Sequence, residues 1–425
     1  MTNELDAVRR TILPNGLVVI TERMPQFRSV SVGIWVRTGS RSEPAEMNGV
    51  SHFIEHMVFK GTERRSCEEI AETLDSVGGM LDAFTTKEMV CFNAKVLDEH
   101  LPLAFDVLAD MVLRPVFGEP EMEREKQVVL EEIKMDEDNP ETLINEAFQQ
   151  AFWEGHPLGQ PILGTQETVE RFERERVRDW FRRAYTPNEI VISAAGNVEH
   201  ERLVELAAGS FGPVPSGKDG YRCAAPVPRA PVLVRHKRSL EQAHLCMGVP
   251  AFPVSDERRF AVALLNNVLG AGMSSRLFQN IRERQGLAYA VFSEISPYHD
   301  AGMLSVYAGT GADKVEQVVR SVIEEFRRLK REPVGPEELL RAKQQLKGSM
   351  TLSLESTGSR MGNRARQEIY FGRFYTIGDT FASIDRVTSE ELQAVAGELF
   401  VPEKVALAAL GPFNGFQPDR ELLAC

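Results

Sequence analysis

Two stretches of this chain, separated by about half its length, read alike. Ile190–Gly196 (IVISAAG) and Val405–Gly411 (VALAALG) are both short, apolar, strand-forming and ended by glycine. The elements leading up to each repeat in much the same order. A chain of 425 residues is too long for one ordinary core and fits two domains of about 200 residues each. The richest Pro/Gly stretch, 212–231, falls between the two copies and marks a boundary. These features predict an α+β fold of two similar duplicated domains, each a mostly antiparallel sheet packed with helices. The expected division is 1–212, a linker 213–230, and 231–425.

In the first copy, 9–23 reads as two strands around a Pro-Asn-Gly turn, and Ser29 to Val36 as a third. Helices follow near 50–58 and Cys67 to Val77, and Met80 to Val96 reads as two strands. Helical patterns then cover Phe105 to Leu113, Glu119 to Met135, Thr142 to Phe152, Thr168 to Ala184 and 199–210. In the second copy, strands are expected near 244–249, 286–295 and 303–309. Helices are expected near 258–269, 312–330, 336–350 and 388–398.

The first copy carries one feature the second lacks, His52-Phe-Ile-Glu-His56. Val50, Phe53, Ile54, Met57 and Val58 recur at helical spacing and form one apolar face. His52, Glu55 and His56 fall together on the opposite face. Two imidazoles four residues apart can hold one metal ion from a single turn, with a carboxylate beside it that need not ligate. That suits a zinc hydrolase, which needs ligands that leave a position for water and a base to take its proton. With eight histidines in the chain, H-x-x-E-H arises by chance on the order of once per hundred such sequences, so the motif needs a third ligand.

Charge and composition exclude other classes. The net charge is −13, from 62 acidic and 49 basic residues, which argues against nucleic acid as a main partner. No apolar run reaches the ~18 residues of a membrane span. The tip Met1-Thr-Asn-Glu-Leu-Asp-Ala is polar and has no signal-peptide core. Five cysteines without C-x-x-C spacing point to reduced thiols and a cytoplasmic location. Gly270-Ala-Gly272 follows a helix instead of a strand and is not a phosphate loop.

Markers along nearly the whole chain carry a family resemblance. They include Leu13-Pro-Asn-Gly-Leu17, Gly49 to Thr62 around the motif, Leu130-Glu-Glu-Ile133 and His156-Pro-Leu-Gly159. Tyr185-Thr-Pro187, Ala195-Gly-Asn-Val198, Gly272 to Phe278, Gly286-Leu-Ala-Tyr289 and Ala365 to Gly372 complete the set. The chain resembles the pitrilysin/insulinase zinc peptidases, and within them bacterial proteins similar to the mitochondrial processing peptidase β subunit.

That resemblance implies one zinc per chain, held by His52, His56 and a glutamate about 76 residues on, here Glu132, with Glu125 supporting it one heptad upstream. It implies Glu55 as general base of a peptidase acting on unfolded or extended peptides. Arg282 and Tyr289 would bind substrate carbonyl oxygen and the charge that develops there. Ala83, Phe84 and Thr85 would belong to an edge strand on which substrate lies as an added strand. Asp82 stands where the family usually has Asn, and a carboxylate accepts but does not donate. The resemblance also implies two copies closing around substrate, hence a homodimer with composite sites. The alternatives are a structural subunit that has lost the chemistry and a metal-loaded binding subunit; a structural relative would be expected to have lost ligands. The acidic run Glu131, Glu132, Asp136, Glu137, Asp138 and Glu141 either attracts Arg-containing peptides or is a solvated helix end.

Overall fold

The computed structural model describes residues 7–218, 220, 223–413 and 415–425. The N-terminal tip 1–6 and residues 219, 221 and 222 of the expected linker lie outside the described residues. β1 (Val8–Ile12), β2 (Val18–Arg23), β3 (Ser29–Val36), β4 (Met80–Thr85), β5 (Val90–Leu97) and β6 (Ile190–Gly196) form one sheet, ordered β1-β2-β6-β3-β5-β4. β7 (Val232–His236), β8 (Ala243–Ala251), β9 (Ala288–Pro297), β10 (Gly302–Thr310) and β11 (Ala406–Gly411) form the other, ordered β7-β11-β8-β10-β9. Laid side by side, the orders match from β2/β7 through to β4/β9. Each sheet has one parallel pair, β2/β6 and β7/β11, and is otherwise antiparallel. The duplicated α+β architecture expected from the two echoing strands is present.

The chain packs as two compact units: 1–135 with 160–224 and 352–376, and 136–159 with 225–351 and 377–425. The change at 224/225 falls inside the expected linker stretch. Two segments, 136–159 and 352–376, join the other unit with no counterpart in the sequence reading, and sheet burial explains them. A strand buried on both faces needs a helix layer on each. In the first unit, Val30, Val32, Ile34 and Val36 of β3 face a core shared with α1 (Val50–Val58), α3 (Leu101–Leu113) and α4 (Glu119–Asp138). The opposite side of β3 is met by the helix Thr357–Phe371. Ser31 Oγ lies 2.9 Å from Thr357 Oγ1, and Trp35 Nε1 donates to Met361 Sδ at 3.3 Å. A Cβ at Gly33 would sit 2.8 Å from Met361 Sδ, so the glycine makes room for the helix.

The second unit solves the same problem with the same device. Ala243, Leu245, Met247 and Val249 of β8 join the core with the helices Arg259–Leu269, Val315–Arg331 and Ser389–Leu399. The other face is covered by α5 (Pro140–Phe152), through Ile144, Phe148 and Phe152. A Cβ at Gly248 would meet Phe148 Cζ at 2.9 Å. α5 precedes β6, and the helix Thr357–Phe371 precedes β11. Each copy therefore contributes its equivalent helix to the other copy's sheet.

One expected helix differs. The pattern from Thr168 to Ala184 is two helices, Gln166–Glu170 and Arg174–Ala184. Thr165 and Thr168 form a reciprocal cap on the first, and the break buries Phe172 with its ring centroid 5.1 Å from that of Phe53. Among the described residues, no helix is long and apolar enough to cross a membrane.

Candidate metal centre

α1 starts on Gly49, whose φ of +91° is left-handed and whose missing side chain leaves the first turn without a local cap. A buried glutamate from the preceding loop replaces the cap. Glu43 Oε2 accepts from Gly49 N at 2.7 Å and Asn48 Nδ2 at 3.2 Å, and Oε1 accepts from Ser51 N at 2.8 Å. Complete burial pushes its carboxyl up to about 7, although the bonds to Ser51, Gly49 and Asn48 pull the other way. At Gly49 a Cβ would lie 2.6 Å from the Leu163 carbonyl oxygen and 2.7 Å from Gly164 Cα. Gly49→Ala combines that clash with the left-handed penalty of about 1–2 kcal/mol. It is expected to lower stability by more than about 2 kcal/mol in chemical denaturation.

The apolar face of α1 is buried as its spacing predicts: Val50, Phe53, Ile54, Met57 and Val58 all lie in the first core. α4 enters that core through Met122, Val129 and Leu130. The polar face of α1 and one face of α4 then meet. His52 Nε2 lies 3.7 Å and His56 Nε2 3.6 Å from Glu132 Oε2. The three donor atoms all fall within 4.8 Å of one another. Two bonds of about 2.0–2.1 Å at a tetrahedral angle separate ligand atoms by roughly 3.3 Å, so the set is spaced for one zinc ion with a further position open. Glu131 points away and pairs with Lys134 at 2.7 Å. Glu125 is buried against the imidazole of His56: its Oε2 lies 3.1 Å from His56 Nδ1, and its Oε1 pairs with Lys60 at 2.8 Å.

The electrostatics suit ligation. Burial first, and the neighbouring His56 second, depress His52 to about 3, so its ring is neutral and free to ligate at working pH. Burial raises Glu55; the Thr85 hydroxyl bond and the His56 charge pull it back, and the charges of Asp82 and Glu132 raise it further. A raised carboxyl is a better proton acceptor near neutrality.

The expected substrate strand is β4, which lies at the edge of the first sheet and pairs with β5 alone. Leu81 and Ala83 pack on the core, and Phe84 meets Trp35 edge-on at 5.5 Å. The Thr85 hydroxyl donates to Glu55 Oε2 at 2.5 Å. In the second unit, Arg282 and Tyr289 are brought together. Arg282 lies on a π-wound turn, Phe278–Arg284, with its guanidinium 5.2 Å from the ring centroid of Tyr289. Tyr289 is the second residue of the edge strand β9 and is 78% exposed. Sequence reasoning missed Glu43, Lys60 and the hold of Thr85 on Glu55. The one signal for Glu43 was an acidic residue shortly before a helix that starts on glycine.

Residues 18–166 match the profile of Insulinase (Peptidase family M16), and residues 171–346 match that of the Peptidase M16 inactive domain. A Bacillus subtilis protein described as an uncharacterized zinc protease is 43% identical over 97% of this chain and all of its own length. A Streptomyces coelicolor protein with the same description is 38% identical over 98% of this chain and 92% of its own. Among solved structures, a protease from Helicobacter pylori superposes with a TM-score of 0.89 at 20% identity, covering 95% of this chain and 99% of that one. A peptidase M16 inactive domain from Pseudomonas fluorescens does so with 0.90 at 21% identity, covering 97% and 100%. These two establish likeness of fold.

Proposed function

The chain belongs to the insulinase family of peptidases, family M16, a family of zinc metallopeptidases, and from that premise we propose that it is an endopeptidase for unfolded or extended peptides. One observation carries the reading: His52, His56 and Glu132 converge within 4.8 Å while Glu55 stands beside them, held by Thr85 and outside the ligand set. His52, His56 and Glu132 would hold a zinc ion, which would supply a water of near-neutral pKa and a Lewis acid for the substrate carbonyl. The protein's own groups do the rest. The open edge of β4 binds substrate backbone as an added strand. Glu55 takes a proton from water at Oε1 and returns it to the leaving amine. Arg282 and Tyr289 hold the charge on the carbonyl oxygen. The motif lies in the first unit and the Arg/Tyr pair in the second, so two copies suffice to complete two sites as a homodimer. A cytoplasmic location fits five cysteines of which none forms a disulfide.

The test pairs metal content with turnover. Purified protein is expected to carry about one zinc per chain and to cleave a quenched, unstructured peptide. A chelator should abolish cleavage and added zinc should restore it. Full zinc occupancy with no cleavage of any unstructured peptide would favour the non-catalytic subunit instead.

Charge adds a specificity prediction. The balance of −13 and the acidic end of α4 favour basic peptides. Exposed charges are screened over about 8–10 Å at physiological salt. Raising salt is expected to lower kcat/KM several-fold on an Arg-rich peptide and to change it little on a neutral one. Equal salt dependence would remove the electrostatic subsite.

A further inference from the structure

We infer that Glu43 is a positioning residue of the metal centre, a buried brace that sets α1 against the strand holding the base. The inference rests on the zinc reading above. Glu43 takes the place of the cap that Gly49 does not provide, and its Oε1 engages Ser51 N, one residue before the ligand His52. The loop carrying Glu43 is in turn pinned to the turn after β4. Ser40 N donates to the Thr86 carbonyl at 3.1 Å and Arg41 N to the Lys87 carbonyl at 2.8 Å. That turn follows directly on Thr85, which holds Glu55. The short loop 40–43, through its backbone at one end and the Glu43 carboxylate at the other, thus links the end of the strand that orients the base to the start of the helix bearing both histidines. Asn48 extends the brace: its amide also donates to the Pro161 carbonyl at 2.9 Å.

The chemistry demands a carboxylate. Both oxygens accept, Oε2 from two donors and Oε1 from one, and an amide would turn its NH2 toward at least one of them. A local Ser or Thr cap would have satisfied the helix without burying an ionisable group. What Glu43 adds is a fixed register between the helix and the β4 turn.

The experiment compares Glu43→Gln with Leu203→Ala, a core truncation on the helix His200–Phe211, which packs on α3 and β2. Zinc affinity is read by chelator competition, and ligand geometry by the visible spectrum of the cobalt-substituted protein. Groups that orient ligands typically change metal affinity 10–100-fold. Glu43→Gln is expected to weaken zinc at least about tenfold and to shift the cobalt spectrum. Leu203→Ala should lose thermal stability while leaving both readouts in place. A folded Glu43→Gln protein with wild-type affinity and spectrum overturns the inference. Should that variant not fold, Asn48→Ala decides, since it removes one donor and leaves the carboxylate: weaker zinc supports the brace, unchanged affinity overturns it. A wild-type protein that binds no zinc overturns the metal reading itself, an outcome distinct from loss confined to the variants.

Discussion

Glu55→Gln is expected to retain one zinc per chain and to lose about 10²–10⁴-fold in peptide hydrolysis. The substitution preserves shape and still offers Thr85 an acceptor, and the ligand atoms of His52, His56 and Glu132 are untouched. What disappears is the proton acceptor. His52→Ala gives the contrasting pattern, loss of both metal and activity, because it removes one of three converging donors. Elemental analysis and turnover on the same preparations separate the two. A Glu55→Gln protein without zinc, beside a zinc-loaded wild type, would mean that base and ligand are not separate residues.

Activity is expected to reappear when two inactive variants exchange subunits. Glu55→Gln lacks the base and Tyr289→Phe lacks the hydroxyl that holds oxygen charge. In a mixed dimer of the proposed kind, one site takes Glu55 from the second variant and Tyr289 from the first, and is intact. Random exchange of an equal mixture makes half the dimers mixed, each with one good site, so recovery approaches about a quarter of wild-type activity. Exchange confirmed by differential tagging, without recovery, rules out the composite site.

Much of the architecture was legible because it depends on local period. α1 announced itself by an apolar stripe, and the echo of β6 in β11 announced the duplication. The histidine pair was legible for the same reason, since two ligands on one turn need only local geometry. Glu132 was not; 76 residues away, it was reached through resemblance, and its approach to the histidines depends on packing of α4. The helix Thr357–Phe371 escaped because its buried face is not a simple apolar stripe. Met361 and Ala365 share it with Arg364 and Glu368, whose charges are paired with Glu22 and Arg10 at 2.8 and 2.7 Å. A helix that buries ion pairs reads as solvated until its partners are known. Glu43 was hidden for a related reason: its three donors lie five to eight residues downstream in a loop and first turn with no period. Which unit each crossing segment joins depends on which sheet face lacks cover, a property of the assembled sheets.

Every role assigned to these side chains depends on one zinc held by two imidazoles and one carboxylate. X-ray absorption at the zinc edge of the loaded wild-type protein tests it most directly. The predicted spectrum has two imidazole nitrogens at about 2.0–2.1 Å, carboxylate and water oxygen at about 2.0–2.2 Å, and no sulfur. His52→Ala should lose one imidazole contribution. A sulfur shell near 2.3 Å, or a spectrum unchanged by His52→Ala, would place the metal elsewhere and contradict the account.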